Sequence, residues 1–463
     1  MRRLESLKRV CVLWLSLAGL LLETAVYAYI WFRNYYPIVN RFNLGLKFFF
    51  KGHLLIIAIY FVLLFFFTST YGGLKIGYLK PGDVFLSQLV SLCIVDVITY
   101  FQISLMSNRL VPVVYFAQAL VLQLLISGIW TAFCNRVYRR VFPPREMLLV
   151  HGHRSIEDIL RKFESRRDKY RITKCVNIKE GIWKIQEEID SGFHAVVLWD
   201  ISTEDRNKLL KYCYSRSVRV YMMPKIPDVL IAGADQLHLF DTPIFLTREY
   251  ALTVEQRMAK RMIDLVLSLV LTILTSPIML ITAICIKCYD GGPILYKQTR
   301  CTCGGREFRI MKFRSMKVDA EKDGVARLST GDKDDRITKV GHIIRACRLD
   351  ELPQLLNILK GDLSVVGPRP ERPEIAAQYC EEMPEFALRL QAKAGLTGYA
   401  QVYGKYNTTP YDKLQMDLMY IAHPSLVEDL KIMLATVKIL FMPESTEGID
   451  EGQTTAMTNN GLE

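Results

Sequence analysis

The stretch 261–290 reads RMIDLVLSLVLTILTSPIMLITAICIKCYD and is apolar over a length that can cross a bilayer. Its centre carries Ser276 and Pro277, and basic residues lie on both sides, Lys260 before the apolar run and Lys287 near its end. A proline removes a backbone hydrogen bond and bends a helix. Basic charge on both flanks disfavours a complete crossing, because one flank would then have to leave the cytoplasm.

Two arrangements of this segment are open. The first is a re-entrant helix over residues 262–286, which enters one leaflet and returns. The Ser276 hydroxyl and packing against protein would then satisfy the backbone groups that Pro277 frees. The second is a simple kinked span, which would place the whole following region outside the cell. That region is polar and rich in phosphate-binding residue types, so we predict the re-entrant helix.

Four further apolar stretches precede this segment, and each is long enough to span a bilayer of about 30 Å as a helix. They cover residues 10–32, 53–70, 84–106 and 112–134. An even number of spans puts both ends on one side of the membrane. Basic residues precede the first span and follow the last, so the positive-inside rule makes that side the cytoplasm. We predict a four-helix transmembrane bundle over residues 1–140.

Residues 145–245 alternate short apolar runs with charged helical stretches. For example, MLLVHG precedes SIEDILRKFES, and AVVLWDI precedes EDRNKLLKYCYSRS. This alternation predicts a doubly wound, Rossmann-like α/β domain. Such a sheet can bind a nucleotide at its switch point. Its first turn offers Gly152 instead of the GxGxxG motif, so a regulatory or assembly role is favoured over cofactor binding.

The composition agrees with a membrane protein of several domains. At 463 residues the chain has room for two or three domains, and its mean hydropathy of +0.16 is positive despite 23% charged residues. The formal net charge of +12 suits an anionic partner, such as a membrane surface, nucleic acid or phosphorylated small molecules. The eleven cysteines show no disulfide-like framework.

A second stretch, residues 348–370, reads RLDELPQLLNILKGDLSVVGPRP and sets Asp350 and Glu351 side by side shortly before Pro353. Because proline fits without strain only in the first turn of a helix, we expect the helix to begin near Asp350. Taken alone, the fragment favours a structural interpretation, in which Asp350 caps the helix and Glu351 complements its dipole. A catalytic interpretation of the acid pair needs support from outside the fragment.

That support comes from basic residues that recur around the acid pair. Arg369 lies between two prolines, which restrict the backbone and so aim its guanidinium. Aimed planar donors suit phosphate oxygens, and nearby acids can hold a divalent cation that bridges a diphosphate. A solvated basic face over anionic lipid is the alternative, but it explains neither the acid pair nor the Pro-Arg-Pro turn. The basic candidates for substrate binding are Arg345, Arg369, Lys312, Arg314 and Arg300.

Several motifs in the C-terminal part resemble those of a known family. They are KRMIDLVLS, SPIM, GGPILYKQTR, FRIMKFRSMK, RLDELPQLLNILKGDLSVVGPRPE and AKAGLTGYAQVYG. In this order they resemble the bacterial sugar transferases, the monotopic polyprenyl-phosphate hexose-1-phosphate transferases, over about residues 255–440. The four spans and the α/β domain further resemble the large members, the undecaprenyl-phosphate galactose or glucose phosphotransferases. The resemblance implies a mainly α, monotopic catalytic domain over residues 255–463.

The resemblance also implies a reaction. A member of this family would transfer hexose-1-phosphate from a UDP-sugar to undecaprenyl phosphate, release UMP, and so initiate exopolysaccharide, capsule or O-antigen synthesis. Asp350 matches the nucleophile that carries a covalent phosphosugar. Glu351 matches its partner, which would assist the attack of the lipid phosphate or, together with Asp350, place Mg²⁺. Arg345 and Arg369 match phosphate-binding positions, and Lys312, Arg314 and Arg300 are motif residues that we assign to substrate binding.

The expected partners are therefore a UDP-hexose, with galactose or glucose favoured, undecaprenyl phosphate and membrane lipid. We expect no nucleic-acid partner, and a homodimer is left open. The expected location is the bacterial inner membrane, with several spans and the catalytic domain on the cytoplasmic face. The alternative is a non-catalytic membrane scaffold or regulator of polysaccharide assembly that retains the fold. Release of UMP from a UDP-sugar distinguishes the two.

Overall fold

The computed structural model describes residues 2–42, 50–248, 252–318, 334, 336–404 and 408–440. The chain divides into two compact units, Met1–Met223 and Pro224–Glu463. The catalytic domain predicted over residues 255–463 thus includes segments 319–333 and 441–463, which lie outside the described residues.

The first unit begins with long apolar helices. A π-helical turn, Trp31–Tyr35, connects α1 to α2, so the two form one continuous apolar segment, Val10–Asn40. This segment and the next three long helices are each long and apolar enough to cross a membrane. The chain is accordingly a membrane protein. The helices are α1 Arg2–Ile30, α2 Tyr36–Phe42, α3 Phe50–Tyr71, α4 Pro81–Met106 and α5 Val114–Val141.

These helices share an apolar core. Helix α1 packs against α3 and α5, and α4 packs against the same two helices. Side chains such as Tyr27, Tyr60 and Leu92 are completely or almost completely buried between them. The outward faces carry large exposed apolar side chains, as expected of helices surrounded by lipid. They include Trp14, Leu55, Phe101, Leu105 and Ile129.

The rest of the first unit is a four-stranded parallel sheet in the order β2-β1-β3-β4. Helices cover both faces, since α7 and α8 pack on one side of β1 and β3 and α6 packs on the other. The central strands are therefore buried on both faces, as their continuous apolar sequences predict. The elements are β1 Arg145–His151, α6 Glu157–Glu164, β2 Tyr170–Asn177, α7 Ile182–Asp190, β3 Ala195–Trp199, α8 Thr203–Ser215 and β4 Arg219–Met222.

The sheet ends earlier than residue 245, the end predicted for the α/β domain. After β4 the chain enters the second unit, where Ile226 and Val229 of helix α9, Ile226–Ala232, join the apolar core. The hairpin that follows α9 is exposed along both strands. The sequence pattern did not reveal this boundary because α9 has the same short amphipathic form as the helices of the sheet.

The second unit mixes helices with short two-stranded sheets. Strand β7 pairs with β8 in antiparallel fashion, and β9 pairs with β10 in parallel. The elements are α9 Ile226–Ala232, β5 Asp235–Leu239, β6 Thr242–Leu246, α10 Val254–Asp290, β7 Leu295–Cys301, β8 Glu307–Phe313, α11 Lys339–Ala346, α12 Gln354–Lys360, β9 Ser364–Val366, α13 Pro373–Glu382, β10 Gly395–Thr397, α14 Tyr399–Tyr403, α15 Pro410–Ala422 and α16 Leu426–Ile439.

Helix α10 contains the long apolar stretch and continues through Pro277. Proline has no N–H to donate to the carbonyl of Ile273, four residues earlier. The Ser276 hydroxyl donates to that carbonyl at 2.8 Å. The helix ends at Gly291, whose φ of 70° lies in the left-handed region that glycine adopts without strain. A side-chain hydroxyl thus satisfies the backbone group that the proline leaves free.

The N-terminal half of α10 is fixed to the second unit by polar contacts. Arg261 donates to the carbonyls of Ile358 and Leu359, at 2.7 and 3.0 Å. The buried Asp264 carboxylate accepts from the Ser364 hydroxyl at 2.8 Å and from the Val365 amide at 2.9 Å. These bonds fix the start of α10 to the end of α12 and to β9.

The C-terminal half of α10 returns to the same unit. Ile286 packs against Phe313 and Ile344. Leu352 packs against this cluster and also against the larger apolar core that Leu267 and Leu271 of the N-terminal half contact. Between these contacts the outer face of α10 exposes large apolar side chains, including Met262, Leu269, Leu274, Leu280 and Ile284. Both halves of α10 therefore contact other elements of the second unit.

Candidate active site

Asp350 and Glu351 lie in a single 3₁₀ turn, Leu349–Glu351, between α11 and α12. Arg348, just before the turn, has a φ of 52° and reverses the chain. The Leu349 carbonyl accepts from the Leu352 amide at 3.2 Å, since Pro353 has no N–H for the helical bond. Helix α12 consequently begins at Gln354, later than the expected start near Asp350. The acid pair therefore lies in the turn before the helix.

Glu351 is held between two cations from different elements. Its Oε1 accepts from Lys312 Nζ of β8 at 2.8 Å and from Arg369 Nη2 at 3.2 Å. Burial opposes ionisation of this carboxyl, but Lys312 and Arg369 outweigh it and hold the pKa of Glu351 well below its ordinary value. Glu351 is therefore an ionised anchor between the two cations.

Asp350 has the opposite electrostatic setting. Burial raises the pKa of Asp350 above its ordinary value, the charge of Lys312 opposes that rise, and the negative charge of Glu351 adds to it. Arg345 and Arg369 also lie close enough to lower this pKa. Among the described residues Asp350 forms no salt bridge, so its carboxylate is available to a substrate atom.

Lys312 is positioned by a buried amide. Asn357 of α12 is 1% exposed, its Oδ1 accepts from the Met311 amide at 3.0 Å, and its Nδ2 donates to the Arg309 carbonyl at 2.9 Å. The two bonds fix α12 to β8 and thereby place Lys312 beside Glu351. Asn357 was not predicted from the sequence, although it is a polar residue among the leucines of an apolar helix.

The Pro-Arg-Pro turn is held by its main-chain carbonyls. Arg389 Nη2 donates to the Arg369 carbonyl at 3.0 Å, and Arg300 Nη1 donates to the Pro370 carbonyl at 3.1 Å. Because these donors hold the backbone, the Arg369 side chain is left to extend toward Glu351. The two arginines fix the position of the turn, and its restriction by the two prolines stays a prediction.

Arg389 is itself part of a buried ion pair. Its guanidinium lies 2.6 Å from Asp417 Oδ2, and the two side chains are 6% and 1% exposed. Glu371 lies 3.6 Å away on the other side. Neither Arg389 nor Asp417 was predicted, because in the sequence each resembles an ordinary surface charge of an amphipathic segment.

Comparison with known proteins agrees with this geometry. Residues 255–443 match the bacterial sugar transferase family. A UDP-glucose:undecaprenyl-phosphate glucose-1-phosphate transferase of Caulobacter vibrioides is 44% identical over 191 residues, which is 40% of this chain and 71% of the relative. The chain belongs to the bacterial sugar transferase family.

The names of two other relatives specify different sugars. A UDP-N-acetylgalactosamine-undecaprenyl-phosphate N-acetylgalactosaminephosphotransferase of Aeromonas hydrophila is 34% identical over 276 residues, covering 56% of the chain and 62% of the relative. An Escherichia coli UDP-glucose:undecaprenyl-phosphate glucose-1-phosphate transferase is 38% identical over 210 residues, covering 44% of the chain and 43% of the relative. The transferase thus spans from less than half to about two thirds of these two relatives.

The predicted substrate-binding residues of the transferase fall into two groups. Lys312 and Arg369 contact Glu351, and Arg345 lies near Asp350. Arg300 and Arg314 contact residues outside the acid pair. Arg314 pairs with Asp290 at the end of α10 and donates to the Pro293 carbonyl at 2.8 Å. For Arg300 and Arg314 the observed contacts are structural, and substrate binding stays a prediction.

The acid pair offers a limited set of metal ligands. Within the described parts of the chain, no three His, Cys, Asp or Glu side chains are grouped so that they could hold a metal ion. Mg²⁺ is usually held by one or two carboxylates together with water and substrate phosphates. Asp350 and Glu351 therefore fit an ion whose coordination a diphosphate completes, and they do not form a closed metal site.

The strand order of the α/β sheet reverses between β1 and β3, and a nucleotide would bind at the ends of these strands. The Asp200 carboxylate lies there. Asp200 Oδ2 accepts from the Arg154 amide at 2.9 Å, in the loop where a bound phosphate would need such amides. A Cβ on Gly152 would lie 1.9 Å from the Asp200 carbonyl oxygen, so Gly152 allows close packing of these two loops. The Arg154 amide is thus already paired with a carboxylate, and the regulatory or assembly role of this domain stays a prediction.

The buried pair Arg389–Asp417 leads to a stability prediction. Arg389→Met should lower the free energy of unfolding by roughly 3–5 kcal/mol, because it leaves the Asp417 charge buried and unpaired. Adding Asp417→Leu should restore part of the loss. Denaturant unfolding of the detergent-solubilised transferase measures both.

The matched control is Arg306→Met, which removes an ion pair whose arginine is 60% exposed. It should cost less than about 1 kcal/mol. If the double variant were no more stable than Arg389→Met alone, the charge of Asp417 would not be the cause.

Proposed function

We propose that this transferase moves hexose-1-phosphate from a UDP-sugar to undecaprenyl phosphate and releases UMP, as the first step of exopolysaccharide, capsule or O-antigen synthesis. The observation that carries the proposal is the unequal acid pair. Glu351 is anchored by Lys312 and Arg369, while Asp350 lies beside the same cations without a salt bridge in the described structure. The names of the relatives supply the substrate class.

In the first step an oxygen of the Asp350 carboxylate attacks the β-phosphorus of the UDP-sugar. The bond between this phosphorus and the bridging oxygen breaks, and UMP leaves with that oxygen. The product on the enzyme is an aspartyl phosphosugar. The step needs Asp350 ionised, which the surrounding cations favour even though burial opposes it.

In the second step a phosphate oxygen of undecaprenyl phosphate attacks the same phosphorus. The acyl phosphate bond breaks, Asp350 is regenerated, and undecaprenyl diphosphate sugar leaves. Glu351 keeps Lys312 and Arg369 directed toward the reacting phosphates, where their charge offsets the charge that develops in the transition state. Arg345 contributes to the same positive field.

Asp350 and Glu351 are the residues that would hold Mg²⁺ when a diphosphate is bound. The ion would supply additional positive charge to the phosphate oxygens.

We place the catalytic region at the cytoplasmic face of the inner membrane, with residues 262–286 forming a re-entrant helix. Both halves of α10 contact one unit, and its outer face is apolar, which supports a helix that enters one leaflet and returns. Such a helix holds the acid pair at headgroup depth, where a soluble UDP-sugar and a lipid phosphate can both reach it.

The direct test is release of UMP from a panel of UDP-sugars with undecaprenyl phosphate and Mg²⁺. UDP-glucose or UDP-galactose should be a substrate, and UDP-N-acetylgalactosamine belongs in the panel. Asp350→Asn should reduce UMP release to the level of the enzyme-free blank, because an amide has the same shape but cannot act as the nucleophile.

The control for that variant is Asp362→Asn, which changes a nearby acid outside the pair and should keep activity. Near-normal turnover by folded Asp350→Asn would contradict the assignment of the nucleophile. If the unaltered protein released no UMP from any UDP-sugar, the scaffold or regulator alternative would be favoured.

The electrostatic setting of Asp350 predicts a pH effect. Because the pKa of Asp350 is raised, transfer should fall as the pH drops through this raised value. Lys312→Met removes a charge that opposes the rise, so the acid limb of kcat/KM should move to higher pH. Lys360→Met, at the exposed end of α12, should leave the limb in place. An unchanged acid limb in Lys312→Met would mean that Lys312 does not act on Asp350.

The re-entrant helix predicts the labelling of cysteines at its two ends. In a background where other exposed cysteines are serine, Met258→Cys and the native Cys288 should both resist a membrane-impermeant maleimide in intact cells. Both should react after permeabilisation. Leu110→Cys, between α4 and α5, should react from outside and is the positive control. Labelling of Cys288 from outside would show a complete crossing.

A further inference from the structure

The N-terminal helices bury a group of polar side chains that the transfer reaction does not use. The group consists of Glu23 and Tyr27 on α1, Tyr60 on α3, Asp96 on α4 and Gln123 on α5, and each is 6% exposed or less. Roughly 20 Å of helix separates Glu23 from Val10 and Asp96 from Pro81. Roughly 15 Å of helix separates Asp96 from Met106 at the other end of α4, so the group lies in the middle part of these helices.

Hydrogen bonds connect the group across the helices. Gln123 Nε2 donates to the Glu23 carbonyl at 3.0 Å and to the Tyr60 hydroxyl at 2.8 Å. The Tyr60 hydroxyl donates to Asp96 Oδ1 at 2.9 Å. The ring of Tyr27 stacks on that of Tyr60, with centroids 4.0 Å apart. The five residues thus form one polar cluster, which we call the midhelix cluster. Glu23 joins it through its main-chain carbonyl and through the proximity of its carboxyl to Asp96.

The midhelix cluster has more acceptors than donors. Both protons of the Gln123 amide and the proton of the Tyr60 hydroxyl are already donated. Four buried oxygens find no hydrogen-bond partner among the described residues, namely Glu23 Oε2, Asp96 Oδ2, Gln123 Oε1 and the Tyr27 hydroxyl. Such buried oxygens are costly unless something with positive charge or a donor hydrogen satisfies them.

The cluster also lacks a basic residue. No lysine, arginine or histidine occurs in residues 10–32, 54–71, 81–106 or 114–135. Asp96 lies near enough to Glu23 for the two carboxyls to interact. Two carboxyls at this depth with no cationic side chain are neutralised either by protons or by a bound cation, and ionisable residues placed inside membrane helices commonly mark ion pathways.

We infer that the midhelix cluster binds a monovalent cation, for which Na⁺ is the probe. Oxygen-only ligands suit a hard cation. Ca²⁺ takes six to eight oxygens, and Mg²⁺ gives up its water reluctantly, so four unpartnered oxygens in an apolar interior favour a singly charged ion. Asp96, whose Oδ1 accepts from Tyr60, supplies the negative charge. Glu23, Gln123 and Tyr27 supply further oxygens, so the ion connects α1, α4 and α5.

The test uses the full-length chain in nanodiscs of zwitterionic lipid. NaCl is titrated against N-methylglucamine chloride at constant ionic strength, and the apparent Tm and the binding of radioactive sodium are measured. Bound sodium should approach one ion per chain, and the Tm should rise by several degrees and saturate. Glu23→Gln and Asp96→Asn should remove the saturable rise, and Asp83→Asn, at the start of α4, should keep it.

Gln123→Leu removes a neutral ligand without changing charge and should weaken sodium binding, which keeps the test informative if an acid variant fails to fold. Two results with the unsubstituted chain would contradict the inference. No bound sodium, together with no saturable rise in Tm, would mean that protons or water alone satisfy the cluster, and it would overturn the inference. A stronger effect of Ca²⁺ than of Na⁺ would overturn the assignment to a monovalent ion.

Discussion

The rest of the second unit, Pro224–Glu463, depends on one carboxylate, that of Glu351, which accepts from both Lys312 and Arg369. These three residues come from a turn, a strand and a Pro-Arg-Pro loop. Removing charged groups from water is costly, and such a group stays ionised only where its partners are close and well directed. The turn, β8 and the loop must therefore assemble together. The electrostatic environment of Asp350 follows from this assembly, because Asp350 lies next to ionised Glu351 and close to the same cations, Lys312 and Arg369.

Buried cations perform a second task in this unit by holding main-chain carbonyls. Arg261 holds the end of α12, and Arg300 and Arg389 hold the Pro-Arg-Pro turn. A guanidinium suits this use because it offers several donors in a rigid plane and remains charged when buried. The loops that carry the proposed chemistry are thus fixed by side chains that point away from it. This explains why not every arginine in the family motifs lies beside the acid pair.

Helix α10 combines polar contacts to the second unit with an exposed apolar face. Its polar side chains, Asp264 and the Ser276 hydroxyl among them, satisfy backbone groups, while its outer apolar side chains remain exposed. The N-terminal helices follow a different rule, because their buried polar side chains bond to one another across the helices. In an apolar environment each polar group must find a partner inside the protein or take one from outside. In α10 the polar groups find their partners inside the protein. In the midhelix cluster some do not, which leads to the cation inferred there.

The sequence by itself determined the features that depend on local pattern. Long apolar runs indicated the membrane helices, alternation of strand and helix indicated the α/β sheet, and the ordered motifs indicated the family and the acid pair. Only the tertiary structure decided which charges meet. Lys312 is 39 residues from Glu351 in sequence, and Arg389 is 28 residues from Asp417. Periodicity reports which face of one element is buried, but the partner of a buried charge comes from another element. For this reason Asn357, Arg389 and Asp417 were missed, and the contacts of Arg314 were seen only in the folded chain.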